Sequence, residues 1–110
     1  MRKAFSGNSG MVKRYRVKIT ASAQADIGTI WDYISQNNPS NAVLFIAEIE
    51  KKVMSLSQFP DRHPVIPEGQ YLQTNEYRHL VYKKYRVVYR IQDATVYVLR
   101  IFHGSKLLDL

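Results

Sequence analysis

Residues 77–104, YRHLVYKKYRVVYRIQDATVYVLRIFHG, decide the fold. They hold three runs rich in aromatic and β-branched residues: Tyr77–Lys83, Tyr85–Ile91 and Thr95–Phe102. Gln92-Asp93-Ala94 reads as a turn between the second and third. Connections this short admit no crossover, so the spacing predicts three antiparallel strands in a meander. Gly104 ends the last strand, and Lys106–Leu110 is a short tail.

Upstream lies a stretch from Pro60 to Thr74 with Pro60, Pro64, Pro67 and Gly69. It reads as a loop with a short extended piece at Val65-Ile66. Two helical stripes precede it. Ile27, Ile30, Trp31 and Ile34 recur at i, i+3, i+4 and i+7, behind a cap at Thr20 or Ser22. Asp26 falls early in this helix, where the macrodipole favours an acid. Gln36-Asn37-Asn38-Pro39 ends it. Ala42, Phe45, Ile46, Ile49, Val53 and Leu56 form the second stripe, capped at Ser40 or Asn41 and running to Phe59, where Pro60 stops it. Arg14–Ile19 alternates, with Tyr15, Val17 and Ile19 on one face and three cations on the other, which predicts a half-buried strand.

The resulting order is β-α-α-β-β-β, an α+β domain with a helical hairpin on one face of a mainly antiparallel four-stranded sheet. The other sheet face is then free to carry the strand cations. Ile30, Trp31, Ile34, Phe45, Ile49, Val53, Val87, Tyr89, Val98 and Leu99 are the expected core. Residues 1–12 show no periodicity and read as a flexible tail, leaving 13–110 as one domain.

The 110 residues suffice for one domain, and the 45% hydrophobic content for one core. The absence of cysteine excludes disulfides, thiolate nucleophiles and cysteine-ligated zinc or iron–sulfur centres. No apolar run approaches the roughly 20 residues of a membrane helix, and Met1–Gly10 lacks a secretory apolar stretch. A cytoplasmic protein without a membrane partner is expected. Sixteen Lys and Arg against nine Asp and Glu give a net charge of +7. The cations are segregated. Arg78, Lys83, Lys84, Arg86 and Arg90 fall between Tyr77 and Arg90 with no acid, while Asp26, Asp32, Glu48 and Glu50 outnumber Lys51 and Lys52 between Ala21 and Phe59. Such segregation favours an anionic partner.

No phosphate-binding glycine loop, zinc-protease helix or nucleophile elbow occurs. The acids are scattered, and His63, His79 and His103 lack ligand-like spacing, so neither a metal nor a cofactor is expected. Between Tyr77 and Ile91 aromatics interleave with cations. Basic side chains there can neutralise phosphates while tyrosines stack on bases. Tyr85 and Tyr89, in phase with Val87 and Ile91, instead suit the core. Val88 separates Arg86 from Arg90, so that face is not plain solvent. His103 and Lys106, near Arg86 on the neighbouring strand, offer a proton donor and phosphate clamps, or else an exposed polar turn.

Taken in order, these pieces resemble the RelE/ParE superfamily of bacterial toxins from type II toxin–antitoxin (plasmid stabilisation) modules. The resemblance spans about residues 13–106. It rests on Tyr15–Ile19, Ala23–Ile34, Asn38-Pro39, Phe59-Pro60, Tyr77–Leu80, Tyr85–Ile91 and Val98–Gly104. It implies the same β-α-α-β-β-β fold and one of two activities. RelE-like members are ribosome-dependent mRNA endonucleases, which activate a ribose 2′-OH, stabilise a phosphorane and protonate the 5′-oxygen. ParE-like members poison DNA gyrase. Arg86 matches the family arginine of the Tyr-Arg-Val-Val-Tyr strand. A nuclease would use Arg86, His103 and Lys106 as its catalytic set. Arg78, His79, Arg86 and Arg90 would meet nucleic acid or another target. RelE-like chains typically end in further cations and a late tyrosine, whereas Ser105–Leu110 has one lysine and no tyrosine. The resemblance is therefore closer to the ParE-like branch, with an mRNA interferase as the alternative and a non-toxic nucleic-acid-binding module as a third reading. Its implied partner is a cognate antitoxin whose acidic, partly apolar tail suits the charge.

Overall fold

The fold was obtained as a computed structural model that describes residues 13–108; the readings of residues 1–12 and of Asp109 and Leu110 lie outside them. Strand β1 (Arg16–Ile19) leads into helix α1 (Ala21–Ser35) through Thr20. The Thr20 hydroxyl oxygen accepts from the Ala23 N–H at 3.2 Å and donates to the Val98 carbonyl at 2.9 Å. One side chain thus caps the helix and ties its start to the last strand. Helix α2 (Pro39–Met54) is capped by Asn38, not by Ser40 or Asn41, because Pro39 takes the first helical turn and Asn38 Oδ1 accepts from the Asn41 N–H at 3.0 Å.

α2 also ends earlier than the stripe predicts. It passes at Met54 into a 3₁₀ turn, Ser55–Ser57, which still buries Leu56. Phe59 then adopts a left-handed backbone with φ of 51° and reverses the chain into a second 3₁₀ turn, Pro60–Arg62. The segment read as loop holds a short helix, α3 (Gly69–Leu72), and the expected extended piece, where Val65 bridges Arg78. At Gly69 a Cβ would lie 2.4 Å from the Thr74 carbonyl oxygen, so only glycine fits this turn.

Strands β2 (Tyr77–Tyr82), β3 (Tyr85–Gln92) and β4 (Thr95–His103) form the predicted meander. The sheet order is β1-β4-β3-β2, with β1 parallel to β4 and the other pairs antiparallel. The hairpin packs on one face. Ala23, Ile27, Ile30, Ile49, Val53 and Leu56 meet Leu80, Val87, Tyr89, Val96, Val98 and Ile101 there.

Two expected core residues lie elsewhere. Trp31 is 37% exposed, because the buried row of α1 follows Ala23, Ile27 and Ile30, and Trp31 stands at its margin. Leu99 sits in a β-bulge: Val88 opposes Arg100 and Tyr89 opposes Val98, so Leu99 has no counterpart on β3. The second sheet face is also not free. Ile66 and Leu108 pack there on Val88 and Phe102. Residues 60–72 form a strap that runs along the free edge of β2, where Val65 bridges Arg78, and lays Ile66 and Leu72 on this face, because a face carrying Val88 and Phe102 needs apolar cover.

Candidate functional site

Two groups of candidate side chains flank the end of β4. The first lies under the strap. Arg86 projects from β3 onto the second sheet face and is 4% exposed. Its Nη1 donates to Glu68 Oε1 at 3.0 Å, and its Nη2 donates to Glu68 Oε2. Nη2 also donates to the Lys106 carbonyl at 2.7 Å, and the guanidinium lies 4.9 Å from the Phe102 ring centre. His79 Nδ1 is 3.2 Å from Nη1. The Arg86 Nε–H has no partner among the described residues.

Glu68, 1% exposed, completes the network by accepting from the Leu108 N–H at 2.8 Å. The Arg86 hydrogen bonds hold its carboxyl at about 2, against the upward push of burial. Burial lowers His79, and the neighbouring Arg86 charge lowers it further. A buried carboxylate forked onto a buried guanidinium is self-neutralising. The pair therefore fastens the strap to the sheet and the C-terminal segment to both.

The second group surrounds a cleft of about 320 Å3 between α1 and the ends of β3 and β4. Ile30 and Ile101 floor it, Tyr33 and Tyr85 wall it, and His103 and Lys106 stand at its rim. Asp26 and Arg100 close one side. Arg100 forks onto the Asp26 carboxylate at 2.8 and 2.9 Å, and Asp26 also accepts the Ile101 N–H at 2.8 Å. β1 pairs with β4 only as far as Val98, so Asp26 satisfies a backbone donor beyond the partner strand's end. Burial raises the Tyr85 hydroxyl, and the nearby Tyr33 adds to it.

The sequence-derived residues are thus divided. Arg86 and His79 meet under the strap, and His103 and Lys106 meet at the cleft. Arg86 reaches Lys106 only through its backbone carbonyl and is absent from the cleft lining. Arg78 donates to the His63 carbonyl at 2.6 Å and so also holds the strap. Arg90 donates to Gln92 at 2.8 Å, pairs loosely with Glu76 at 3.9 Å and lies over Tyr97. Sequence reasoning missed Glu68, Tyr33 and the tertiary role of Asp26. The one local sign was Val88 between two arginines, which marks a covered face. Among the described residues no group of histidines and acids could hold a metal. No helix among them is long and apolar enough to cross a membrane.

A helical hairpin on a sheet of this order matches the fold that the resemblance to the RelE/ParE superfamily implies. The chain belongs to the ParE family: residues 17–108 match the family model described as the ParE toxin of the type II toxin–antitoxin system parDE. Its fold is similar to that in the chromosomal ParDE TA system from P. aeruginosa, with a TM-score of 0.68 and 22% identity over 83% of this chain and 97% of that one. It is also similar to a chain of the toxin–antitoxin complex RelBE2 from Mycobacterium tuberculosis, with a TM-score of 0.60 and 26% identity over 87% and 97% of the two chains. No curated protein matches it significantly.

Proposed function

We propose that this chain is the toxin of a toxin–antitoxin pair, held inactive by an acidic antitoxin, and that it acts by binding DNA gyrase and not by cutting mRNA. The ParE family and the two toxin–antitoxin complexes of similar fold support the pairing. The state of Arg86 carries the choice of target. Its guanidinium is 4% exposed and forked onto Glu68, so it does not face a substrate phosphate. A nuclease needs cations converging on one phosphorane. Here His103 and Lys106 flank the cleft without Arg86. An inhibitor of gyrase needs a complementary surface instead, which the exposed Tyr33, Val43 and Leu44 of the helical hairpin offer.

Induction of the chain alone in a bacterial host is expected to arrest growth, with co-expressed antitoxin restoring it. Primer extension on messages from the arrested cells is expected to show no codon-positioned cuts. Cuts that vanish in His103→Ala would establish the mRNA interferase instead. Normal growth with confirmed folded protein would count against the toxin reading as a whole.

A further inference from the structure

We propose that the end of the second sheet face beyond the strap binds single-stranded DNA, with phosphates on Arg16, Lys18 and Arg90 and a base stacked on the Arg90–Tyr97 pair. The choice of DNA over RNA rests on the gyrase reading above, whereas the platform rests on the sheet alone.

The strand registers build the platform. Lys18 lies opposite Tyr97 on β4, Tyr97 opposite Arg90 on β3, and Arg90 opposite Tyr77 on β2. Cation and ring therefore alternate across all four strands in one row. In the next row Arg16 lies opposite Thr95, and Thr95 opposite Gln92. Val17, Val96 and Val98 occupy the alternate positions and pack under the helical hairpin, so both rows belong to the second face. The apolar cover of that face sits on Val88, Phe102 and Tyr77 and reaches no further. Arg16 and Lys18 are exposed beyond it. Cations on an outer strand such as β1 also guard its edge against pairing. Arg90 stands on β3, an inner strand, where no edge needs guarding.

The charges are available for phosphates. Among the described residues, neither Arg16 nor Lys18 pairs with a carboxylate. Arg90 donates to Gln92 at 2.8 Å and meets the exposed Glu76 only at 3.9 Å, a pair of little strength in water. Arg16 and Lys18 are two residues apart, about 6.6 Å along β1, and Arg90 lies two strands from Lys18, roughly 9.6 Å away. The three cations thus frame Tyr97. The Arg90 guanidinium lies 5.2 Å from the Tyr97 ring centre. Bases stack on aromatic rings and on guanidinium planes alike, so this pair suits an unpaired base. A duplex keeps its base faces inside the stack and shows only edges in its grooves, which take a projecting helix or ribbon. An open sheet face projects neither. A single strand presents bases and phosphates together, as this row of rings and cations requires.

The test is fluorescence anisotropy of a labelled 15-mer of thymidylate titrated with the full chain. A 15-mer of uridylate and a 15-base-pair duplex serve as the other two probes. The DNA strand is expected to bind at least as tightly as the RNA strand and more tightly than the duplex, with an affinity that falls as salt rises. Arg16→Glu combined with Lys18→Glu is expected to weaken it roughly tenfold or more and to make the logarithmic salt slope shallower by about 1.4, which is two phosphate contacts on a single strand. Lys83→Glu combined with Lys84→Glu makes the same change of charge in the turn between β2 and β3, and is expected to weaken binding less than threefold. Tyr97→Leu, with folding checked by its urea midpoint, is expected to weaken it roughly fivefold or more at constant charge. Three results would overturn the site: no binding of the DNA strand, equal losses from the two double reversals, or tighter binding of the uridylate or the duplex. The titration contains no gyrase, and the supercoiling assay depends on no contact at this face, so each reading can fail alone.

Discussion

Glu68 and Arg86 depend on each other in a way that makes acid an informative perturbant. The Arg86 hydrogen bonds hold the Glu68 carboxyl at about 2, below its ordinary 4.5, so the folded state binds this proton less readily than the unfolded chain. The stability it supplies is complete above about 4.5 and is lost as pH falls toward about 2. His63 and His79 act earlier with the same sign. Burial lowers both below 6.5, and arginine charges, Arg62 and Arg78 for His63 and Arg86 for His79, lower them further, so the folded state resists their protonation and stability declines once pH drops below 6.5. Urea midpoints measured across this range are expected to fall in two stages. Glu68→Gln, already destabilised near neutrality, should lose the lower stage only. A wild-type midpoint that stays flat down to pH 4.5 would contradict the histidine contribution.

The elements differ in how much of each shows in the sequence. Alternation and turn residues located the four described strands, and the two stripes located the long helices α1 and α2 but not the short α3, because period and punctuation are local properties. What the periodicity could not show was which flank of a stripe meets the sheet. Ile49 is fully buried and Trp31 is 37% exposed, although both fall within apolar stripes. Ile49→Ala is expected to cost about 2–5 kcal/mol, and Trp31→Ala only about 1–2 kcal/mol, as read from urea unfolding. Equal costs would mean that Trp31 packs deeper than its exposure implies. The bulge at Leu99 and the strap were illegible for a related reason: both answer to contacts distant in sequence. Asp26 looked like a helix-start acid, yet it serves Arg100 and the Ile101 N–H 75 positions away. Asp26→Ala is expected to cost about 1–3 kcal/mol, while the exposed Asp32→Ala stays within about 0.5 kcal/mol of wild type. Half of the candidate site was legible in the same sense. His103 and Lys106 stand at the end of a readable strand. Glu68, an acid between Pro67 and Gly69, carries no periodic signal that would place it on Arg86.

Across the whole molecule, charge and cover sort the surfaces. The hairpin covers one sheet face, and the strap with Leu108 covers the end of the other that carries Val88 and Phe102. The arginine that the family resemblance singled out is thereby committed to holding the structure together. The cleft rim and apolar residues of the hairpin such as Tyr33, Val43 and Leu44 are among the features left exposed, and both suit protein surfaces. Purified DNA gyrase offers the most direct measurement: supercoiling of relaxed plasmid, with trapped cleaved complexes resolved on the same gel, as the full chain is titrated in. The chain is expected to halt supercoiling and accumulate cleaved complexes in proportion to its concentration, and antitoxin is expected to reverse both. Undiminished supercoiling at saturating toxin, from a preparation that arrests growth, would contradict gyrase as the target.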